Sequence, residues 1–217
     1  MTHTVDLYWS FRSPYSYLVV PRLLELERDW DAQVNVRPVL PIAVRQPDFF
    51  ANADPLWTPY LFRDCVRSAE FTGMTLRWPR PDPVLMDFAT RTYPKEQPHI
   101  HRLTRLGALA AERGQGLAVL RAVSHLIWSG EVEGWHEGDH LRKAFASVGC
   151  DLAEMDTVQA AEAERLDAVI RQNEVDQRLG GHYGVPLMVY EGEPFFGQDR
   201  YDQLVWRMQQ KGMARRG

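Results

Sequence analysis

Ser13-Pro14-Tyr15-Ser16 closes one kind of local structure and opens another. The residues before it, Val5-Asp6-Leu7-Tyr8-Trp9-Ser10-Phe11-Arg12, form a short, mostly apolar run of β-branched and aromatic side chains, which predicts a buried strand over 5–12. Ser13 suits an N-cap, because its hydroxyl can accept from an orphan backbone N–H, and Pro14 suits the first helical position, where no N–H is needed. In the helix that follows, Tyr17, Val20, Pro21 and Leu24 share one side; Pro21 stands about two turns in, where a kink is expected.

A strand running into a helix start through an X-Pro-X-X turn has the layout of a thioredoxin-type active site. Ser13 and Ser16 occupy the two sulfur positions. Dithiol exchange needs one thiolate to attack and a second thiol to resolve, and hydroxyls do neither. The helix start keeps its unpaired N–H groups and about half a positive charge, which favour an anion such as a thiolate. The place therefore suits a ligand that brings its own sulfur.

The chain has 217 residues, 45% hydrophobic and 11% aromatic, enough to bury one core with an inserted subdomain and too apolar for a disordered chain. A net charge of −4 gives no general attraction to nucleic acid or anionic membranes. No apolar run approaches the roughly 18 residues of a membrane span, and the N-terminus lacks the pattern of a signal peptide, so a cytoplasmic address is expected. Cys65 and Cys150 are too far apart in sequence for a local redox pair or zinc knuckle. Each reads as a core residue, with a reactive pocket thiol as the alternative.

Val34 to Leu40 alternates apolar and polar positions and reads as a second strand, with Pro38 marking an edge or an end. Strand, helix and strand make a parallel βαβ unit with ligands at the carboxyl ends of its strands. From Gln46 to about Pro59 the composition is irregular; residues 57–71 read as a helix, and after Trp78-Pro79-Arg80-Pro81-Asp82-Pro83 three or four helices are expected to about Gly149. One further helix is expected over 156–179, stopped by Gly180-Gly181. The expected organisation is a discontinuous α/β domain, 1–45 and 180–217 with part of that last helix, around a mainly helical insert, 46–179.

Gly184-Val185-Pro186-Leu187-Met188-Val189-Tyr190 reads as a strand behind an X-Pro bond, Glu191 to Pro194 as a turn, and Phe195-Phe196-Gly197 as the return strand. In a thioredoxin-type fold the Val185-Pro186 bond is expected to be cis, presenting the Val185 backbone to an extended peptide. Tyr201, Leu204, Val205 and Met208 then lie on one face of a final helix. Asp199 reads as its N-cap, as a carboxylate for the ammonium of a peptide-like ligand, or as both, since one carboxylate has two oxygens. Other patterns are weaker. His136 and His140 have helical metal-site spacing, but Gly138 lies between them; His99, His101, Arg102 and Arg105 read as a solvated basic face or an anion site.

The run Tyr8 to Leu18 with Ser-Pro-Tyr-Ser, Arg37-Pro38-Val39-Leu40, and Gly184-Val185-Pro186 followed by Phe196-Gly197-Gln198-Asp199-Arg200 resembles the 2-hydroxychromene-2-carboxylate isomerase family. That family is close to kappa-class glutathione transferases and has a DsbA-like thioredoxin fold, of class α/β, with a helical insert. The resemblance implies glutathione as cofactor, a small aromatic substrate and a homodimer; from the charge, the lack of a long apolar run and the broken His136/His140 pattern, no nucleic-acid or membrane partner and no metal are expected. It assigns Ser13 to the glutathione sulfur, Val185 and Pro186 to the cysteinyl moiety, Gln198 and Asp199 to the γ-glutamyl end, and Asn52 to the same ligand. Tyr15, Trp9, Phe49, Trp57 and Trp78 are candidates for an apolar aromatic wall, with Tyr15 and Trp57 the expected substrate neighbours and a plain core role the alternative for each. The chain departs from the family at Ser10, where an acidic or amide residue is usual, and at Trp57, where a lysine is expected; Arg45 and Arg63 are the candidates to take its place. The expected reaction is thiolate addition to a conjugated substrate, rotation about the transient single bond, and elimination. The alternatives are a glutathione transferase and a non-catalytic peptide-binding module.

Overall fold

The computed structural model describes residues 2–87 and 92–217. Its centre is a four-stranded mixed sheet in the order β2-β1-β3-β4, made of β1 (His3–Trp9), β2 (Ala32–Pro38), β3 (Leu187–Tyr190) and β4 (Glu193–Phe196). β1 and β2 are parallel, with Trp9 opposite Pro38; β3 runs antiparallel to β1 and β4 antiparallel to β3. Burial alternates along β2 as the pleat requires: Ala32, Val34 and Val36 are buried, Gln33 and Asn35 exposed.

Both N-terminal strands end before the positions expected from sequence. β1 stops at Trp9 because Ser10-Phe11-Arg12 turn away from the sheet, with Ser10 O accepting from Ser13 N–H at 3.1 Å. β2 lies at the sheet edge and ends at Pro38, which has no N–H to donate. In the C-terminal hairpin the turn is only Glu191-Gly192, and Pro194 falls inside edge strand β4, where a missing donor costs no ladder bond.

Between β1 and β2 runs α1 (Pro14–Asp29); α2 (Ile42–Arg45) and α3 (Trp57–Thr72) follow. Next come α4 (Ile100–Glu112), α5 (Gly116–Trp128), α6 (His140–Ala146), α7 (Leu152–Ala161) and α8 (Ala163–Leu179), with α9 (Tyr201–Gln210) after the sheet. α1 passes through Pro21 as one helix of 16 residues. The single helix expected over 156–179 is two, α7 and α8, parted at Glu162 (φ −108°, ψ 24°). α8 stops at Gly180, as expected.

A continuous apolar core joins sheet and helices, from Val5, Leu7 and Trp9 through Leu18, Val19, Val20 and Leu23 of α1 to Leu103, Leu106, Leu120 and Val123 of α4 and α5. α4 packs closely because of Gly107: a Cβ there would lie 3.0 Å from the Phe11 ring and 3.4 Å from Pro38. Among the described residues no helix is long and apolar enough to cross a membrane.

Candidate functional site

Two buried tryptophans fix the turn that leads into α1. Trp9 Nε1 donates to Ser16 O at 3.1 Å, and Trp128 Nε1 on α5 donates to Phe11 O at 2.9 Å. Ser13 is the N-cap: its backbone is extended, and Oγ accepts from Ser16 N–H at 3.2 Å. Ser13 O takes the Tyr17 N–H at 3.1 Å, and Pro14 has none to offer. The Tyr15 N–H thus has no partner among the described residues, and it points outward from the positive end of a 16-residue helix. Ser16 Oγ, at the second thioredoxin-type position, is fully buried and also unpartnered.

The Val185-Pro186 bond is cis, as expected. Ser13 Oγ–H donates to Val185 O at 3.3 Å, joining two segments 172 residues apart. Pro186 O accepts from Gly197 N–H at 3.0 Å, while the Val185 N–H has no partner among the described residues. β1 and β2 end, β3 begins and β4 ends at one edge of the sheet, so the Ser13 turn, Val185 and Gln198-Asp199 converge there. Asp199 does not cap α9: Gln198–Arg200 is a 3-10 turn, and among the described residues the exposed Asp199 carboxylate meets only its neighbour Arg200, at 2.9 Å.

Over this edge lies a chain of rings. Phe49 meets Tyr183, two residues before Val185, at 6.0 Å between centroids, and Trp57 at 5.8 Å. Phe50 meets Trp57 and Tyr93, and the Arg12 guanidinium lies 5.6 Å from both the Phe50 and Tyr93 rings. Arg12, adjacent to Ser13, is held by a bidentate pair with Asp82 at 2.9 and 3.1 Å. Asn52 lines an open cleft of about 400 Å³ with Gln46, Pro47, Asp48, Phe49 and Ala53. Ser13 and Val185 are thus in direct contact; Asn52 and Trp57 sit on the segment whose rings reach both Arg12 and Tyr183.

Other candidates lie apart from this edge. The Tyr15 hydroxyl donates to Asp64 Oδ2 on α3 at 2.7 Å, and burial, then that bond, raise its pKa. Trp9 is wholly core rather than wall, and Trp78 packs against Phe62 and Trp128. Both cysteines are buried and free; burial pushes the Cys65 thiol up to about 11 and the Cys150 thiol in the same direction. Arg102 and Arg105 form neither a solvated face nor an anion site, because they pair with Asp156 of α7 and Asp167 of α8. His136 packs on His99 and Trp135, and no group of three or more metal-ligating side chains occurs among the described residues. Arg45 spends Nη1 on Gln177 Oε1 and Nη2 on Tyr183 O, so it braces the Val185 loop; Arg63 is exposed. Sequence reading missed Arg12, Phe50, Asp82, Tyr93 and Tyr183. An arginine beside the motif serine was the available signal; its partners lie about 40 to 80 residues away, beyond any local pattern.

A model of the DSBA-like thioredoxin domain matches residues 4–209. Among curated proteins, the 2-hydroxychromene-2-carboxylate isomerase of Sphingobium xenophagum is 26% identical over 209 residues, covering 94% of this chain and 97% of that protein. A solved 2-hydroxychromene-2-carboxylate isomerase superposes with a TM-score of 0.68 at 21% identity, covering 95% of both chains. A probable DsbA oxidoreductase from Streptomyces coelicolor gives 0.67 at 18% identity over 96% of this chain and 89% of that one. The cytosolic disulfide reductase DsbM from Pseudomonas aeruginosa with GSH gives 0.58 at 16% identity, over 95% and 99%. The structural likenesses, all below 25% identity, speak for the fold.

Proposed function

Because this chain belongs to the DSBA-like thioredoxin domain family but carries Ser13 and Ser16 where dithiol chemistry needs sulfur, we propose that it is a glutathione-dependent isomerase of an aromatic, conjugated carboxylate such as 2-hydroxychromene-2-carboxylate. A curated relative named for that activity supports the reading, and a cytoplasmic homodimer belongs to it. The observation that carries it is the Ser13–Val185 contact, with N–H groups that have no partner among the described residues on both sides, at Tyr15 and Val185.

Those groups fit the cysteinyl part of the tripeptide. Val185 N–H, unbonded among the described residues, can donate, and Val185 O keeps a second lone pair beside the Ser13 bond. Ser13 has one proton: turning it from Val185 O toward a sulfur leaves the Ser16 cap bond intact, because that bond uses a lone pair. Tyr15 N–H and the helix dipole add to the same position. Lowering a thiol pKa by two units from about 8.5 takes roughly 2.7 kcal/mol, within reach of a charge-assisted hydrogen bond plus a dipole. When bound, glutathione would supply a thiolate that adds reversibly to a conjugated carbon. Asp199, with Gln198 beside it, would take the γ-glutamyl ammonium, and Asn52 would face the ligand from the cleft. Phe49, Phe50, Trp57 and Tyr183 would hold the apolar body of the substrate and exclude water.

Titration calorimetry with reduced glutathione tests this on the wild type, Ser13→Ala and Asp199→Ala. Micromolar to low-millimolar binding that weakens about tenfold in Asp199→Ala is expected. No binding by the wild type would overturn the reading; glutathione consumed in step with substrate would mark a transferase.

A further inference from the structure

The loop that presents Val185 is held almost atom by atom. Tyr183 O accepts from Arg45 Nη2 at 3.0 Å, Gly184 O from Gln177 Nε2 at 2.7 Å, and Val185 O from Ser13. The remaining bond is made by His182, whose Nδ1 accepts from Gly184 N–H at 2.9 Å. The ring is clamped between Tyr183 (4.8 Å, 15°) and Phe196 (3.7 Å, 22°), and a Cβ on Gly184 would lie 2.5 Å from Phe196 and 3.0 Å from His182. An N–H donor at Gly184 leaves no choice of tautomer: Nδ1 must be unprotonated. Protonation would set two N–H groups against each other.

We propose that His182 is a positioning residue for the Val185 edge, holding the Val185 N–H in place only while the imidazole is neutral. The inference rests on that edge binding glutathione. Ionisable groups near the loop on the elements that meet here include Arg45 of α2, Glu174, Asp176 and Arg178 of α8, Asp48 of the cleft loop, Glu193 of β4, and Asp199 and Arg200 after it. None pairs with the His182 ring among the described residues, and burial alone lowers its pKa. The neutral form therefore prevails at pH 7, and the bond is lost as pH falls below the ordinary histidine range of about 6.5.

Two variants separate the roles of the ring. His182→Phe keeps the stack without an acceptor; His182→Asn keeps an acceptor, because an asparagine side chain bonds the backbone N–H two residues on, and does not titrate there. Calorimetry with reduced glutathione from pH 7.5 to 5 should show the roughly tenfold weakening that protonation of the bound thiolate imposes on every variant; His182→Asn should show that weakening alone, wild type a further five- to tenfold loss, and His182→Phe weak binding throughout. Identical pH profiles for wild type and His182→Asn would overturn the proposal. In the ligand-free protein, magnetic resonance should show Gly184 amide exchange protection lost as the His182 ring protonates. Protection that persists through that titration would overturn the positioning role whether or not glutathione binds, which keeps its failure distinct from failure of the proposed function.

Discussion

Ser13 carries a cap bond and a candidate catalytic hydroxyl on one oxygen, so its replacement must separate fold from chemistry. Ser13→Ala should lose about 1 kcal/mol of stability from the missing cap, whereas Ser13→Gly should lose only a few tenths. Both should lower turnover about a hundredfold, the scale on which removing one oriented donor acts, while glutathione affinity changes much less. Steady-state kinetics beside urea denaturation checks this; activity that tracks stability across the two variants would leave Ser13 a cap. The cysteines make the opposite case. With its thiol pushed up to about 11 in a buried site, Cys65 should resist alkylation at pH 7 until the protein unfolds, as mass spectrometry can follow. Ser13, Val185 and Pro186 were legible because their chemistry is local: a cap, a helix-start proline, an X-Pro bond before a strand. The Arg12–Asp82 pair spans 70 residues and leaves no local trace.

At the scale of elements, function depends on how closely segments approach. Gly184 lies against Phe196, so Gly184→Ala must displace either the β4 ring or the Val185 loop. Glutathione affinity should fall more than tenfold, with a lower Tm; calorimetry and thermal melting would read both. An unchanged affinity would place the ligand away from this loop. Strand and helix identities followed from sequence because period and capping set them locally. Boundaries shifted where a turn or an edge intervened: Ser10 bonds back to the turn before the expected end of β1, and Pro38 ends β2. The break between α7 and α8 has no proline or glycine near Glu162, so helical periodicity reads straight across it.

The whole molecule is tied together by pairs invisible in sequence. Arg105 to Asp167 joins α4 to α8, and Arg102 to Asp156 joins α4 to α7. The hydrogen bond from Arg105 holds the Asp167 carboxyl below the ordinary range. A depressed carboxyl pKa stabilises the fold above about pH 4 and ceases to do so as pH falls through the folded value. Arg105→Ala should therefore cost about 1 kcal/mol at pH 7, and the gap to wild type should close in strong acid. Burial also lowers His99, His101 and His182. The unfolded chain then binds more protons below about pH 6.5, so stability should fall on acidification from there, as urea midpoints at pH 7.5, 6 and 5 can show. Folding brings the two ends of the chain to one sheet edge and lays the 46–57 segment over it, and only the ends carried enough pattern to be placed from sequence.

The central claim is that this edge ionises a thiol it does not own. Ultraviolet thiolate absorbance of glutathione bound to the wild type and to Ser13→Ala, followed against pH, tests it most directly. A bound thiol titrating about two units below the ordinary value near 8.5 in the wild type, and close to that value in Ser13→Ala, is the predicted result. A bound thiol titrating at its ordinary value in both proteins would contradict the account.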